Sequence, residues 1–133
     1  MQAIAAGGTE GPDAARAVDE RALAEIEASD DPQVRRWLGS ILNNLGWDLH
    51  DSGRPDEALA VFERAVETRA AADDHSAWLV ARWCVGRTLR TLGRYDEALA
   101  LMRELAADPV GADDDYVHEE IAENEKAIAE QTP

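Results

Sequence analysis

An eight-residue segment of this 133-residue chain occurs twice, forty positions apart. Residues 53–60 read Gly-Arg-Pro-Asp-Glu-Ala-Leu-Ala and residues 93–100 read Gly-Arg-Tyr-Asp-Glu-Ala-Leu-Ala, so seven of the eight positions are identical. The same offset pairs Gly46 with Gly86 and Phe62 with Met102. A fixed period that matches small, apolar and turn positions together predicts a protein built from repeated supersecondary units.

Each copy is predicted to be a pair of helices joined by a tight turn. Before the first turn, apolar residues recur with helical spacing and predict one buried helix face. These residues are Trp37, Leu38, Ile41, Leu42, Leu45 and Leu49. Gly53 suits the left-handed residue that ends a helix, and Pro55 suits the first turn of the next one. The second copy repeats this arrangement and ends at Asp108-Pro109, because a helix rarely continues into proline.

Composition favours the same class of fold. The chain contains 25 alanines but only seven aromatic residues and five prolines, which favours closely packed helices over sheets. We therefore predict an all-α fold, a right-handed solenoid of helical hairpins with about six helices. Its length corresponds to one domain.

The predicted organisation has a disordered segment over residues 1–11 and a helical domain over 12–133. Within that domain we expect a flanking helix over 12–29, a first repeat over 33–72 and a second over 73–109. An acidic capping helix is expected over 113–131. Its glutamates at 119, 120, 123 and 125 suit a solvated face. The alternative is that this helix folds back on, or reaches across to, an arginine-lined groove in a neighbouring molecule.

Charge and hydropathy exclude several function classes. With 28 acidic and 13 basic residues, the formal net charge is −15, and no segment has the surplus of lysine and arginine that binding to nucleic acid requires. An acidic surface is also repelled by anionic membranes, no apolar run is long enough to span one, and no secretory signal is expected. The lone Cys84 suits a reducing compartment. We expect a cytoplasmic protein, and the predominance of arginine over lysine favours a bacterial source.

Histidines beside carboxylates are the candidate catalytic residues. His50 lies next to Asp51, and His75 follows Asp73 and Asp74, so either histidine has the neighbours of a general base or metal ligand. No nucleophile, zinc or phosphate-loop motif accompanies them, and the aspartates at 73 and 74 are explained as helix caps. We therefore expect no catalytic residue, no cofactor and no metal site.

The two copies resemble the tetratricopeptide repeat family. The resemblance rests on Leu-Gly at residues 45–46, the turn glycine Gly53, Asp-Glu-Ala at residues 56–58 and Phe62, with counterparts forty residues later. It covers roughly residues 35–109. The period exceeds the usual value of about 34 residues and is similar to that of long-repeat bacterial members. The resemblance implies an all-α scaffold that binds protein or peptide partners.

By that resemblance, the first helix of each pair lines a concave groove. The groove residues it implies are Asn43, Trp47 and His50 in the first copy and Trp83, Arg87 and Arg90, beside Val80, in the second. Asn43 would hold a backbone amide of a peptide, and the tryptophans would stack on its apolar side chains. Arg87 and Arg90 would pair with acidic side chains or a C-terminal carboxylate.

Other interpretations stay open beside this groove. In one, the arginines merely offset neighbouring acids and the tryptophans fill gaps between long helices. In a second, the chain is a self-associating structural protein whose repeat ends stack between copies, and so a homo-oligomer. In a third, it is the peptide-sensing part of a signalling protein.

Overall fold

A computed structural model of the protein describes residue 17 and residues 20–31 and 37–131. Within this part of the chain, residues 20–27 form helix α1. Five further helices follow, namely α2 (Leu38–Asp51), α3 (Pro55–Ala71), α4 (His75–Thr91), α5 (Tyr95–Ala107) and α6 (Asp115–Gln131). The described residues contain no strand, and the predicted all-α fold of about six helices is confirmed. The predicted disordered segment 1–11 and the start of the flanking helix lie outside the described residues.

The two helix-ending glycines have the left-handed conformation that their positions require. Gly53 has φ of 80° and Gly93 has φ of 77°. The amide of Gly53 donates to the carbonyl of His50 at 3.2 Å, and the next amide donates to Leu49 at 2.8 Å. The same two bonds recur forty residues later. This hydrogen-bond pattern is the Schellman motif, which satisfies carbonyls that the helix end would otherwise leave unpaired.

The chain divides into two compact units, Met1–Thr68 and Arg69–Pro133. In the first, which we call unit 1, α2 packs on α3 around Phe62. Phe62 of α3 and Leu42 of α2 are both fully buried. Gly46 faces the Phe62 ring so closely that an added Cβ would lie 2.4 Å from it. The Trp47 ring meets the same phenyl ring edge to face, with centroids 5.0 Å apart. A small residue at position 46 thus allows the two helices to approach.

The second unit, unit 2, packs α4, α5 and α6 around Leu79, Met102, Leu105 and Val117. Gly86 faces Met102 here as Gly46 faces Phe62 in unit 1. The forty-residue period therefore describes packing as well as sequence.

Helix α6 begins forty residues after α4, at the place of the first helix of a third repeat. The two helices have matching starts, because Ala72-Asp73-Asp74 recurs as Ala112-Asp113-Asp114. Asp74 Oδ1 accepts the amide of Ala77 at 3.1 Å, and Asp114 Oδ1 accepts the amide of Tyr116 at 2.9 Å. Both aspartates therefore satisfy amides that the first turn of a helix leaves unpaired.

The connections before α4 and α6 differ in length. Helix α3 has 17 residues and α5 has 13, so the loop before α6 runs over residues 108–114, whereas residues 72–74 suffice before α4. Pro109 explains the difference, because proline cannot continue a helix with intact hydrogen bonding. The longer loop carries residues that shape the candidate site.

Two residues depart from the expected burial. Trp37, expected on the buried face of the first helix, is 65 % exposed, because α2 begins at Leu38 and Trp37 occupies its N-cap position. Glu120, expected on the solvated face of the capping helix, is 5 % exposed. Its burial is explained by its arginine partners in unit 2.

Candidate functional site

In unit 1, helix α2 carries Asn43, Trp47 and His50, all three half-buried. The Trp47 ring contacts Phe62 and also His50, with centroids 5.2 Å apart in the second pair. His50 Nδ1 lies 3.2 Å from the carboxylate of Asp51. Trp47 is therefore partly a packing residue, and the polar edge of this surface is formed by Asn43 and His50.

In unit 2, helix α4 carries Val80, Trp83, Arg87 and Arg90 on one face. Trp83 lines an open-sided pocket with a volume of about 390 Å³. The pocket lies between the first half of α4, the end of α5, the following loop and the start of α6. Its lining residues are Ser76, Leu79, Val80, Trp83, Leu105, Val110, Gly111, Asp114, Tyr116 and Val117.

Exposed apolar side chains are concentrated around the pocket. Val80, Val110 and Tyr116 are 52 %, 56 % and 67 % exposed, and they are three of the four exposed large hydrophobic residues in the described part of the chain. The rings of Trp83 and Tyr116 meet edge to face with centroids 6.2 Å apart, and Trp83 Nε1 donates to the Tyr116 carbonyl at 3.3 Å. Scattered exposed apolar residues are ordinary, but their concentration around one pocket indicates a binding surface.

Asp108 holds the loop that forms one wall of the pocket. Its Oδ1 accepts the amide of Val110 at 2.9 Å, and its Oδ2 lies 2.8 Å from Nε2 of His75 at the start of α4. The bond from the Val110 amide is the main cause that lowers the pKa of Asp108; desolvation opposes it, and the bond from His75 lowers the pKa further. The ionised carboxylate thus connects the loop to α4.

Replacing Asp108 with asparagine should lower the stability of the fold by an amount that depends on pH. Because the folded pKa of Asp108 is lowered, its ionised form stabilises the fold above the ordinary aspartate pKa of about 3.9. That contribution is lost as the pH falls through the folded pKa. The melting temperature of Asp108→Asn should therefore lie below that of the natural chain at pH 7, and the gap should narrow below about pH 4.

Melting followed by circular dichroism at a series of pH values measures this gap. Asp113→Asn removes the same charge from an exposed position in the same loop and serves as the control. A gap that stays constant with pH, or that Asp113→Asn reproduces, contradicts the assigned role of Asp108.

The arginines of α4 meet Glu120 of α6. Arg90 donates from Nε and Nη2 to the two carboxylate oxygens of Glu120 at 2.7 and 2.9 Å. Arg87 is farther away, with Nε 3.9 Å from the same carboxylate, and it donates from Nη1 to Thr91 Oγ1 at 2.8 Å. The Glu120 side chain is 7 % exposed, and that of Arg90 is 24 % exposed. A bidentate arginine–carboxylate pair of this kind is strong and directional.

The two arginines have different electrostatic surroundings. Hydrogen bonding to Glu120 raises the pKa of Arg90. Burial lowers the pKa of Arg87, and the positive charge of Arg90 lowers it further, while Glu120 opposes both effects. Both guanidinium groups stay protonated at neutral pH, so one carboxylate faces two positive charges. Arg87 is the group whose charge is less well compensated.

Replacing Glu120 with glutamine should destabilise unit 2 by about 1–2 kcal/mol, because two neighbouring arginines lose their buried counter-charge. Arg103 and Glu125 form a comparable pair between α5 and α6 at 3.1 Å, but both side chains are more than half exposed. Glu125→Gln should therefore cost at most about 0.5 kcal/mol. Urea denaturation measures both effects without screening charge, and equal costs for the two variants would refute the special role of Glu120.

The structure thus brings together Trp83, Arg87 and Arg90 of the expected groove, each in contact with α6. Sequence reasoning missed Val110 and Tyr116 of α6 and its loop. It placed Glu120 on a solvated face, and only its alternative brought the acidic helix to an arginine-lined groove. A signal for them exists, because the repeat of the Ala-Asp-Asp segment at residues 112–114 places α6 beside α5 as the next first helix. The closure of the loop around Gly111 has no comparable signal in the sequence.

The described residues were also compared with the requirements of a metal site and of a membrane-spanning helix. No group of three or more histidine, cysteine, aspartate or glutamate side chains is arranged to hold a metal ion in this part of the chain. No helix described by the structure is long and apolar enough to cross a membrane.

The chain contains two consecutive helical hairpins that repeat at a fixed period. In each, a glycine with positive φ lies in the turn between the two helices. These features define a helical-hairpin repeat protein. The sequence profile described as tetratricopeptide repeat matches residues 37–107. The chain therefore belongs to the tetratricopeptide repeat family, a repeat scaffold that mediates interactions between proteins. Comparisons with curated proteins and with solved structures find no match.

Proposed function

We propose that this chain is a non-catalytic binding module that takes up a protein or peptide segment on the α4 face of unit 2. The observation that carries the proposal is the pocket against Trp83, in which exposed Val80, Val110 and Tyr116 converge. An apolar side chain of the partner enters this pocket and is withdrawn from water, which is the main source of affinity at such surfaces.

The remaining groove residues have secondary roles in this proposal. Arg87 and Arg90 continue the α4 face beyond Trp83. An acidic group of the partner meets Arg87 first, because Arg90 is already paired with Glu120. Asn43, Trp47 and His50 provide a second candidate surface in unit 1, where a polar edge suits the backbone of a peptide. The cytoplasmic location and the bacterial source stay predictions from the sequence.

A random-sequence peptide library displayed on phage tests the proposal directly. Peptides selected on the immobilised chain should carry at least one large apolar residue. Val80→Glu places a charge at the pocket and should weaken their binding by about tenfold or more, since a buried valine contributes at least 1.5 kcal/mol. Ala100→Glu, at an exposed position of α5, adds the same charge away from the pocket and should leave binding unchanged.

Fluorescence anisotropy with labelled peptides gives the dissociation constants. Circular dichroism confirms beforehand that both variants fold as the natural chain does. The proposal fails if no peptide is enriched, or if enriched peptides bind Val80→Glu as tightly as they bind Ala100→Glu. Peptides that depend instead on Trp47 or Asn43 would move the site to unit 1.

A further inference from the structure

The pocket of unit 2 is apolar inside and acidic at one edge. Among the described residues that line it, Asp114 alone is charged. Asp113 and Asp115 adjoin it in the sequence, and both are exposed. Tyr116, the next residue of α6, is again part of the lining. Three consecutive acidic residues therefore lie in or directly beside the wall of an apolar pocket.

These aspartates differ from other acidic residues of unit 2 in having no cationic partner. Oδ2 of Asp108 lies 2.8 Å from Nε2 of His75, and Oε1 of Glu120 lies 2.7 Å from Nε of Arg90. In the described part of the chain, no histidine, arginine or lysine forms a salt bridge with the aspartates at 113–115. Their negative charge is therefore available to a cationic group of a partner.

The arginines of α4 leave this negative edge in place. Arg90 donates two hydrogen bonds to the Glu120 carboxylate, which also lies 3.9 Å from Arg87. One positive charge remains beyond that pairing, against the three aspartates at 113–115. Unit 2 as a whole contains 14 acidic and seven basic residues. The field at the pocket is therefore negative, and it attracts cationic segments and repels anionic ones.

The negative edge and the arginines lie on opposite sides of Trp83. The Trp83 ring contacts Tyr116. Farther along α4, Arg90 contacts Glu120, which is also farther along α6. The two helices thus run in the same direction, so the aspartates that precede Tyr116 lie on the side of Trp83 away from Arg90. Positive charge of a partner is therefore favoured next to the pocket, and a group that meets the arginines lies beyond Trp83.

We infer that the pocket binds a peptide segment in which a large apolar residue is flanked by lysine or arginine, with these basic residues facing Asp113 and Asp115. The inference rests on the proposed function, since it names the chemical class of partner for that same surface. The pocket volume of about 390 Å³ is near the lower end of the range for ligand pockets, about 300–1,000 Å³, which suits one large side chain. The aliphatic stems of the basic residues lie along apolar surface while their charged ends reach the carboxylates.

Peptides displayed on phage with a fixed central tryptophan and randomised flanks supply the probes. Sequences enriched on the immobilised chain should contain more lysine and arginine in their flanks than the unselected library. Synthetic copies of an enriched peptide in which these residues are replaced by glutamate should bind about tenfold more weakly or worse in fluorescence anisotropy. High salt should reduce this difference, because exposed charge pairs are screened.

Matched charge removals separate the edge of the pocket from the general negative charge of the chain. Asp113→Asn with Asp115→Asn removes two charges at the edge, and Glu63→Gln with Glu67→Gln removes two from exposed positions of α3 in unit 1. Circular dichroism confirms that both double variants are folded. The first should bind the basic peptides about three- to tenfold more weakly, the effect of two exposed charge pairs. The second should bind them as the natural chain does.

Val80→Glu distinguishes the inference from the proposed function. This variant adds a negative charge, so weaker binding of a basic peptide to it reports the lost apolar contact rather than repulsion. Suppose that binding is sensitive to Val80→Glu, but the enriched flanks carry no surplus of lysine and arginine, or the two double variants bind equally well. The proposed function then stands and the inference fails. If no peptide is enriched, or if Val80→Glu binds the enriched peptides as tightly as the natural chain does, both fail.

Discussion

Phe62→Ala is expected to destabilise the chain by about 3–5 kcal/mol, the usual cost of removing a fully buried phenyl ring. The Phe62 side chain is completely buried, and its ring packs against Trp47 with centroids 5.0 Å apart. The substitution leaves a cavity between α2 and α3 that the rigid helix backbones fill poorly. The loss should appear as an earlier transition in urea denaturation followed by circular dichroism.

The same substitution should reverse the effect of Gly46→Ala. In the natural chain, a Cβ at position 46 would lie 2.4 to 2.7 Å from three atoms of the Phe62 ring, so Gly46→Ala should cost about 1–3 kcal/mol through overpacking. Once Phe62 is alanine, that clash is gone. Gly46→Ala should then stabilise by up to about 1 kcal/mol, the advantage of alanine over glycine inside a helix.

A double-mutant cycle over these two positions measures the coupling. Phe62→Leu replaces Phe62→Ala in the cycle if the alanine variant leaves no folded baseline. Gly86→Ala is the matched control, because its Cβ would meet the terminal methyl of Met102 at 2.6 Å, and a flexible side chain can withdraw. Its net cost should be close to zero. Additive effects of Gly46→Ala and Phe62→Ala would show that the ring does not restrict position 46.

The repeat made the hairpins predictable from sequence for a physical reason. The identity of Gly53 with Gly93 reflects one backbone conformation, with φ near 80° in both, and few other residues adopt it without strain. The spacing of Arg87 and Arg90 placed both on one helix face, which is where the structure has them. Local geometry and side-chain spacing are properties that a sequence carries directly.

The burial of individual side chains outside the repeat was not predictable in the same way. Trp37 continues the apolar pattern of α2, yet it precedes the first helical residue, so the helical period does not apply to it. Glu120 looks like a surface residue on an acidic helix, and its burial follows from the pairing with Arg90 of α4. That pairing is a tertiary contact between α4 and α6, which helical spacing alone does not show.

Gly111→Ala adds one methyl group to the loop over residues 108–114 and should destabilise the fold more than any other such addition there. The expected loss in the free energy of unfolding is about 3 kcal/mol, at the upper end of ordinary overpacking. An added Cβ would lie 2.2 Å from the backbone carbonyl oxygen of Leu105. That oxygen accepts the amide of Asp108 at 3.2 Å at the end of α5, and Leu105 is 1 % exposed in the core of unit 2. Because the obstructing atom belongs to the backbone, the loop rather than a side chain must move.

Gly93→Ala separates this clash from backbone strain. Gly93 has φ of 77° and no other atom within 4 Å of an added Cβ, so its substitution costs only the left-handed penalty of about 1–2 kcal/mol. Urea denaturation should therefore rank Gly111→Ala as more destabilising than Gly93→Ala.

The two variants should also differ at the pocket, because displacement of the loop moves Val110 away from Trp83. Selected peptides should lose affinity for Gly111→Ala and keep it for Gly93→Ala under conditions where both remain folded. If Gly93→Ala proves more destabilising than Gly111→Ala, the loop does not pack against Leu105. The contact that positions this wall of the pocket would then be absent.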